Sequence, residues 1–122
     1  KQATTIVHES SVVSDSATLG SGTVVFAGAV INTCATLGTG CIVNTGATVD
    51  HDCELADGVH ISPGANLGGN VTVGECSWIG IGACVKNGVT IGKNVIVGAG
   101  AAVVQDVPDN VTVVGVPAKE LT

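Results

Sequence analysis

The chain has 122 residues, enough for one domain with a core and too few for two ordinary ones. Its four basic residues are all lysine and the net charge is −6, which argues against nucleic acid as a partner, because phosphate binding needs basic patches. No run approaches the roughly 18 apolar residues of a membrane span and the N-terminus has no signal-peptide pattern, so a soluble, cytoplasmic protein is expected. Hydrophobic residues make up 45% of the chain and are nearly all small or β-branched; with 18 glycines, they predict short strands and tight turns. The low charge content and a mean hydropathy of +0.55 also predict that part of the surface is covered by another subunit. The five cysteines are odd in number and form no C-x-x-C pair, which suggests neither a disulfide framework nor a zinc ribbon and fits a reducing compartment.

From Val7 onward an aliphatic residue recurs every six positions, through Val13, Leu19, Val25 and Ile31 to Val97 and Val103, seventeen times without insertion. With that position called i, i+4 is always small or Val (Ser11, Ala17, Thr23, Ala29, and on to Val107), and i+3 is mostly Gly, Asn or Asp. Side chains alternate across a strand, so i and the residue two before it face inward, while i−1 and i+1 face out. Positions i+2 and i+3 then form a corner where positive φ is tolerated. One hexad cannot bury its own inward face, so the hexads must stack into a solenoid. Residues 1–107 are expected to form this solenoid, and residues 108–122, where the period is lost, a short C-terminal loop or tail that packs on it.

These three registered series resemble the hexapeptide-repeat left-handed parallel β-helix, an all-β fold in which three hexads make one triangular coil. The resemblance implies about six coils, and it is the resemblance that supplies the handedness, since crossover connections are otherwise normally right-handed. With 18 residues per coil, residues 18 apart stack at about 4.8 Å. The i−1 column on the flat that begins at Val7 runs Ile6, Val24, Ile42, His60, Trp78, Ile96, apolar outside as well as in. This flat is the expected subunit interface, and the resemblance implies a homotrimer. The flat carrying Leu19 has instead a column of Thr18, Thr36, Glu54, Thr72 and Thr90, read as β-branched packing between stacked strands.

Chemistry concentrates in Asn44–Gly64, which holds His51 between Asp50 and Asp52 and His60 nine residues further on. Coil arithmetic separates the two histidines: His51 falls on a corner and His60 on the flat opposite that corner, so they can cooperate only across subunits. This stretch, with GVHISPGA, WIGIGA, TIGKNVIVGAGA and VVGVPAK, resembles the sugar acetyltransferases of the superfamily, both the sialic acid O-acetyltransferase-like group and the bacillosamine-type nucleotide-sugar N-acetyltransferases. The resemblance implies transfer of an acetyl group from acetyl-CoA to an amine or hydroxyl of a sugar or nucleotide-sugar, at a site between subunits. It implies His51 as general base, Asp52 as the acid that raises its basicity, and Gly69, one coil above His51, as oxyanion donor through its N–H. Donor contacts implied in the same way are His60, Ile81 and Ala99. Lys86 and Lys93 are candidate point charges for CoA phosphates, with Lys119 a weaker one. Neutral imidazole suits the proton transfer this chemistry needs, and a carboxylate beside it favours the imidazolium that forms.

The remaining groups read as structural. Asp50, Glu54 and Asp57 suggest a solvated rim, His8 a surface residue, and Cys41 and Cys53 core; Cys34 and Cys76 replace turn residues and Cys84 points outward. A zinc carbonic anhydrase of the same fold would need three converging histidines. His8 and His51 are 43 residues apart, more than two coils or roughly 11 Å in height, whereas zinc–imidazole bonds are about 2.0–2.1 Å; no metal is expected. A non-catalytic structural or binding solenoid, or a fragment keeping only acetyl-CoA binding, is the other alternative. The relatives carry an α/β domain for the acceptor ahead of the solenoid, and nothing before Ile6 is expected to provide one.

Overall fold

The computed structural model describes residues 4–121; residues 1–3 and Thr122, at the outer ends of the two expected segments, lie outside the described part. Seventeen two-residue strands, from β1 (Ile6–Val7) to β17 (Ala102–Val103), follow one another at the hexad interval. They assemble into three parallel sheets, one per face of a left-handed triangular β-helix. Partners are always 18 residues apart, as in Ile42↔His60↔Trp78↔Ile96 on the first face and Thr48↔Asn66↔Cys84 on the second. No helix among the described residues is long and apolar enough to cross a membrane.

The core is a narrow prism. Its edge-filling residues are the i series, with Val25, Ile31, Leu37, Ile61, Leu67 and Ile79 all at 2% exposure or less, interleaved with the small i+4 series of Ala29, Ala35, Cys41, Ala47 and Cys53. No i+4 side chain is larger than valine, in keeping with the narrow prism these residues fill. Several also satisfy backbone carbonyls that turn inward at a corner: Thr23 donates to the Gly38 carbonyl (2.9 Å), Cys41 to Ala56 (3.1 Å), Cys53 to Gly68 (3.2 Å) and Ser77 to Gly92 (2.6 Å). An unmet carbonyl buried at those corners would cost on the order of 1–3 kcal/mol. The small, weakly polar composition of this series is thus both a packing and a hydrogen-bonding requirement.

Every i+3 residue from Gly22 to Gly100 adopts the left-handed region, and five of them are not glycine: Cys34, Asp52, Asn70, Cys76 and Asn94, with φ between 53° and 60°. The exposed cysteines at 34 and 76 occupy these strained corners, Cys84 is also exposed, and Cys41 and Cys53 are fully buried.

Past the last hexad, β18 (Thr112–Val114) adds to the first sheet in parallel beside β16 (Ile96–Val97). The chain then reverses, and β19 (Lys119–Glu120) pairs antiparallel to β18. This hairpin covers the upper edge of one sheet, and Val113 and Val107 close the end of the core.

Candidate active site

His51 lies at the corner between β8 (Thr48–Val49) and β9 (Glu54–Leu55), where the second sheet hands over to the third. The corner places the residue at i+2, pointing into solvent; its side chain is 48% exposed. The next residue, Asp52, is held at a φ of 58°, and this left-handed turn brings its carboxylate back to the imidazole, with Nδ1 and Oδ2 3.0 Å apart. An ionised carboxylate can only accept, so Nδ1 carries the proton and Nε2 keeps its lone pair for a base's work. A free Asp would adopt this conformation less readily than Gly, and the contact with the ring repays that cost.

Gly69 sits one coil higher in the same column. A Cβ built on it would collide with the imidazole, Nε2 being the nearest ring atom and Cδ2 lying at 2.9 Å. The His51 ring therefore lies flat against a bare stretch of backbone, which only glycine allows. The neighbouring Gly68 has no side chain either, so the space above His51 is bounded by main chain. Among the described residues the Gly69 N–H donates to no protein acceptor, while Gly68 N–H pairs with the Val85 carbonyl at 2.9 Å and Asn70 N–H with the His51 carbonyl at 2.9 Å. A free donor next to a basic nitrogen is the geometry that stabilises an oxyanion formed where that nitrogen works.

His60 opens β10 (His60–Ile61) on the first sheet, away from the corner that carries His51. Its ring stacks on Trp78 with centroids 4.1 Å apart and planes tilted by 41°. Asn44 lies beside it. The Asn44 Oδ1 accepts the Thr45 N–H at 2.8 Å, which turns Nδ2 toward His60 Nε2 at 3.4 Å. Nε2 is then an acceptor and Nδ1 carries the proton, free to donate outward. Partial burial lowers the pKa of His60, which favours this neutral form. In the same column Ile6, Trp78 and Ile96 are 58%, 50% and 53% exposed, a continuous apolar ladder on one side of the triangle.

The other site residues expected from the sequence fall on three different edges. Ile81 and Ala99, both exposed, share the corner between the first and second sheets, one coil apart. Lys86 is exposed on the His51 edge, one coil above Gly68. Lys93 is exposed on the third edge, where its N–H is capped by Asp109 at 2.9 Å. Within one chain, then, Asp52, His51 and Gly69 come together, while His60 with Trp78, the Ile81–Ala99 edge and Lys93 do not join them. Two concavities, about 490 Å3 along the third sheet and about 250 Å3 at the C-terminal end, include neither histidine.

Two of the acids read as solvated rim have definite partners. Asp57 caps the Thr39 N–H at 2.8 Å, and Asp50 caps the His51 N–H at 2.8 Å. Asn44 and Asp50 were missed as functional neighbours; both occupy i+1, just before a corner, where a side-chain oxygen can reach the next amide. His8 is on the surface, its Nδ1 taking the Ser10 N–H at 3.0 Å. Among the described residues no three His, Cys, Asp or Glu side chains are grouped to hold a metal ion.

Residues 70–105 match the bacterial transferase hexapeptide (six repeats) family. None of the curated proteins compared matches the chain significantly. Among solved structures, the acetyltransferase domain of PglB from Neisseria gonorrhoeae is 52% identical and superposes with a TM-score of 0.98 over 98% of this chain and 58% of its own; a second structure of that domain holds acetyl coenzyme A. GDP-perosamine N-acetyltransferase from Caulobacter crescentus, in complex with CoA and GDP-perosamine, is 48% identical with a TM-score of 0.98 over 99% of this chain and 58% of its own. WeeI from Acinetobacter baumannii is 35% identical, with a TM-score of 0.90 over 93% of this chain and 56% of its own. The chain thus spans under three-fifths of the length of each of these relatives. With its unbroken hexads, its three parallel sheets and these matches, the chain is a hexapeptide-repeat left-handed β-helix similar to the acetyltransferase domain of PglB and to GDP-perosamine N-acetyltransferase.

Proposed function

We propose that the chain carries the acetyl-transfer centre of an enzyme that moves an acetyl group from acetyl-CoA to the amine of a nucleotide-linked amino sugar. The observation that carries this reading is the juxtaposition of His51 Nε2 with the bare, unpaired amide of Gly69. His51 takes the proton from the attacking amine, and Asp52, 3.0 Å from Nδ1, offsets the positive charge that the ring acquires. As the amine nitrogen bonds to the thioester carbon, the Gly69 N–H donates to the carbonyl oxygen, where negative charge collects. When the carbon–sulfur bond breaks, the His51 imidazolium returns its proton to the departing thiolate of CoA. The relatives that hold acetyl-CoA or CoA with GDP-perosamine support both the donor and the acceptor class.

The site is completed in a homotrimer. The apolar ladder of Ile6, Val24, Ile42, His60, Trp78 and Ile96 packs against the His51 edge of a neighbouring chain, so that His60 and its outward Nδ1–H face the donor. Ile81 and Ala99 then line the pantetheine arm, and Lys86 and Lys93 are placed for phosphates. Calorimetric titration with acetyl-CoA, followed by thiol release with GDP-perosamine and related amino sugars, tests the reading. His51→Ala is expected to keep donor binding and lose turnover. Absence of acetyl-CoA binding by the intact chain would overturn the proposal.

A further inference from the structure

The carbonyl of His51 is held from the coil above by the Asn70 N–H at 2.9 Å, but the peptide that precedes His51 is held less tightly. On the second sheet, the N–H of each i+1 residue donates to the i position one coil up at 2.9 Å: Ser14 to Ile31, Asn32 to Val49, Gly68 to Val85 and Lys86 to Val103. At Asp50 the same bond, to Leu67, lengthens to 3.3 Å. The ladder is therefore loosest at the residue before His51, and Gly68 and Gly69 above it offer no side chains to hold the corner down. The Asp50 side chain takes over this role. Its Oδ1 accepts the His51 N–H at 2.8 Å and, from the coil below, the Asn32 Nδ2 at 3.1 Å.

We infer that Asp50 is a positioning residue for His51, fixing its main chain beneath Gly69 while Asn32 anchors the carboxylate. This inference rests on the reading of His51 as the base. The two carboxylates on either side of the histidine then have separate tasks: Asp52 orients the ring and Asp50 holds the peptide. The acceptor geometry, and not the charge, is what the corner uses, because the corner one hexad earlier makes the same bond with a neutral oxygen, Asn44 Oδ1 on Thr45 N–H at 2.8 Å. An asparagine at 50 can make the same bond, whereas an alanine cannot.

Four variants of the full chain, Asp50→Ala, Asp50→Asn, Asn32→Ala and His51→Ala, distinguish the roles through kcat for thiol release with GDP-perosamine, acetyl-CoA affinity and hydrogen exchange of the His51 amide. Asp50→Ala is expected to speed exchange of that amide at least about tenfold and to lower kcat roughly 10- to 100-fold, the scale of an ångström-level misplacement, with acetyl-CoA Kd within about twofold. Asp50→Asn should keep kcat within about threefold and leave the pH–rate profile in place. Asn32→Ala, which leaves the Asp50–His51 bond itself intact, should fall between them and serves as the readout if Asp50→Ala does not fold. Unchanged exchange or unchanged kcat in Asp50→Ala would overturn the inference, as would an Asp50→Asn variant as damaged as Asp50→Ala with a displaced pH profile, which would make the charge the active element. Full activity in His51→Ala would instead remove the reading of His51 as base.

Discussion

Gly69→Ala isolates the contact between His51 and the bare backbone from everything else at the site. Gly69 is outside the left-handed region, so alanine fits the main chain, and alanine keeps the N–H assigned to the oxyanion. Only the methyl group is new. Built in place, it lies 2.5 Å from His51 Cε1 and 2.9 Å from Cδ2, against roughly 3.5 Å for a relaxed carbon–carbon contact. The ring must therefore move by roughly 1 Å, and displacements of that size cost about a hundredfold in rate, or about 2.7 kcal/mol of transition-state stabilisation. Because the ring is half-exposed it can swing outward, so the fold should lose no more than about 0.5–1.5 kcal/mol, the strain of an off-rotamer side chain. The assay is thiol release beside a thermal melt and an acetyl-CoA titration, on Gly69→Ala, His51→Ala and the double variant. If the methyl acts by displacing His51, the double variant is no slower than His51→Ala alone. A Gly69→Ala enzyme with native kcat, or a double variant slower than His51→Ala by the full product of the single losses, refutes the assignment.

Trp78 is the sole tryptophan, so its emission reports on the imidazole stacked against it. His60 binds its proton more weakly folded than unfolded; the stability this contributes is present above the unfolded value of 6.5 and is lost as the pH falls toward the lower folded value. The emission should titrate with a midpoint below 6.5, and a midpoint at or above it in the wild type, or one that survives His60→Asn, refutes the stacking account. Burial raises the pKa of both Cys41 and Cys53, chiefly by desolvation, so a disulfide reagent at neutral pH should titrate Cys34, Cys76 and Cys84 in the native protein and all five thiols after denaturation; five fast thiols in the native state would mean that the coils open. In the proposed trimer Ile96→Glu places a charge at the upper end of the apolar ladder, and it should reduce the sedimenting mass from three chains to one and abolish acetyl-CoA binding with it; an unchanged oligomer would move the interface elsewhere.

The architecture was readable because hexad period and inward alternation are set by backbone geometry, and a single list of aliphatic positions locates every strand from Ile6–Val7 to Ala102–Val103. The same arithmetic put His51 and His60 on different faces and Gly69 above His51. Contacts that depend on side-chain direction at a corner were not readable. Period alone does not say that Asp50 turns back to the next amide while Glu54 remains exposed, or that Asn44 reaches His60. Nor does it show that Thr23, Cys41 and Ser77 are chosen for a carbonyl as much as for size, since a small inward residue looks the same whether or not it donates. The hairpin of Thr112–Val114 and Lys119–Glu120 escaped because the period that identifies the other strands stops before it.

Since partners lie 18 residues apart in all three hexad sheets, the molecule has something like a reading frame. Deleting one residue between His51 and His60 would exchange inward and outward positions in every later strand. Inserting six would keep that alternation but turn all later residues by one face of the triangle. Inserting eighteen between His51 and Gly69 would leave a sound fold, longer by one rung, yet lift the proposed oxyanion donor from the proposed base by a further 4.8 Å or so. The interval that lets the chain fold therefore also spaces its chemistry, and changes in length could preserve both only as whole coils added outside the span from Asn32 to Gly69 or as loops that leave a corner and return to it.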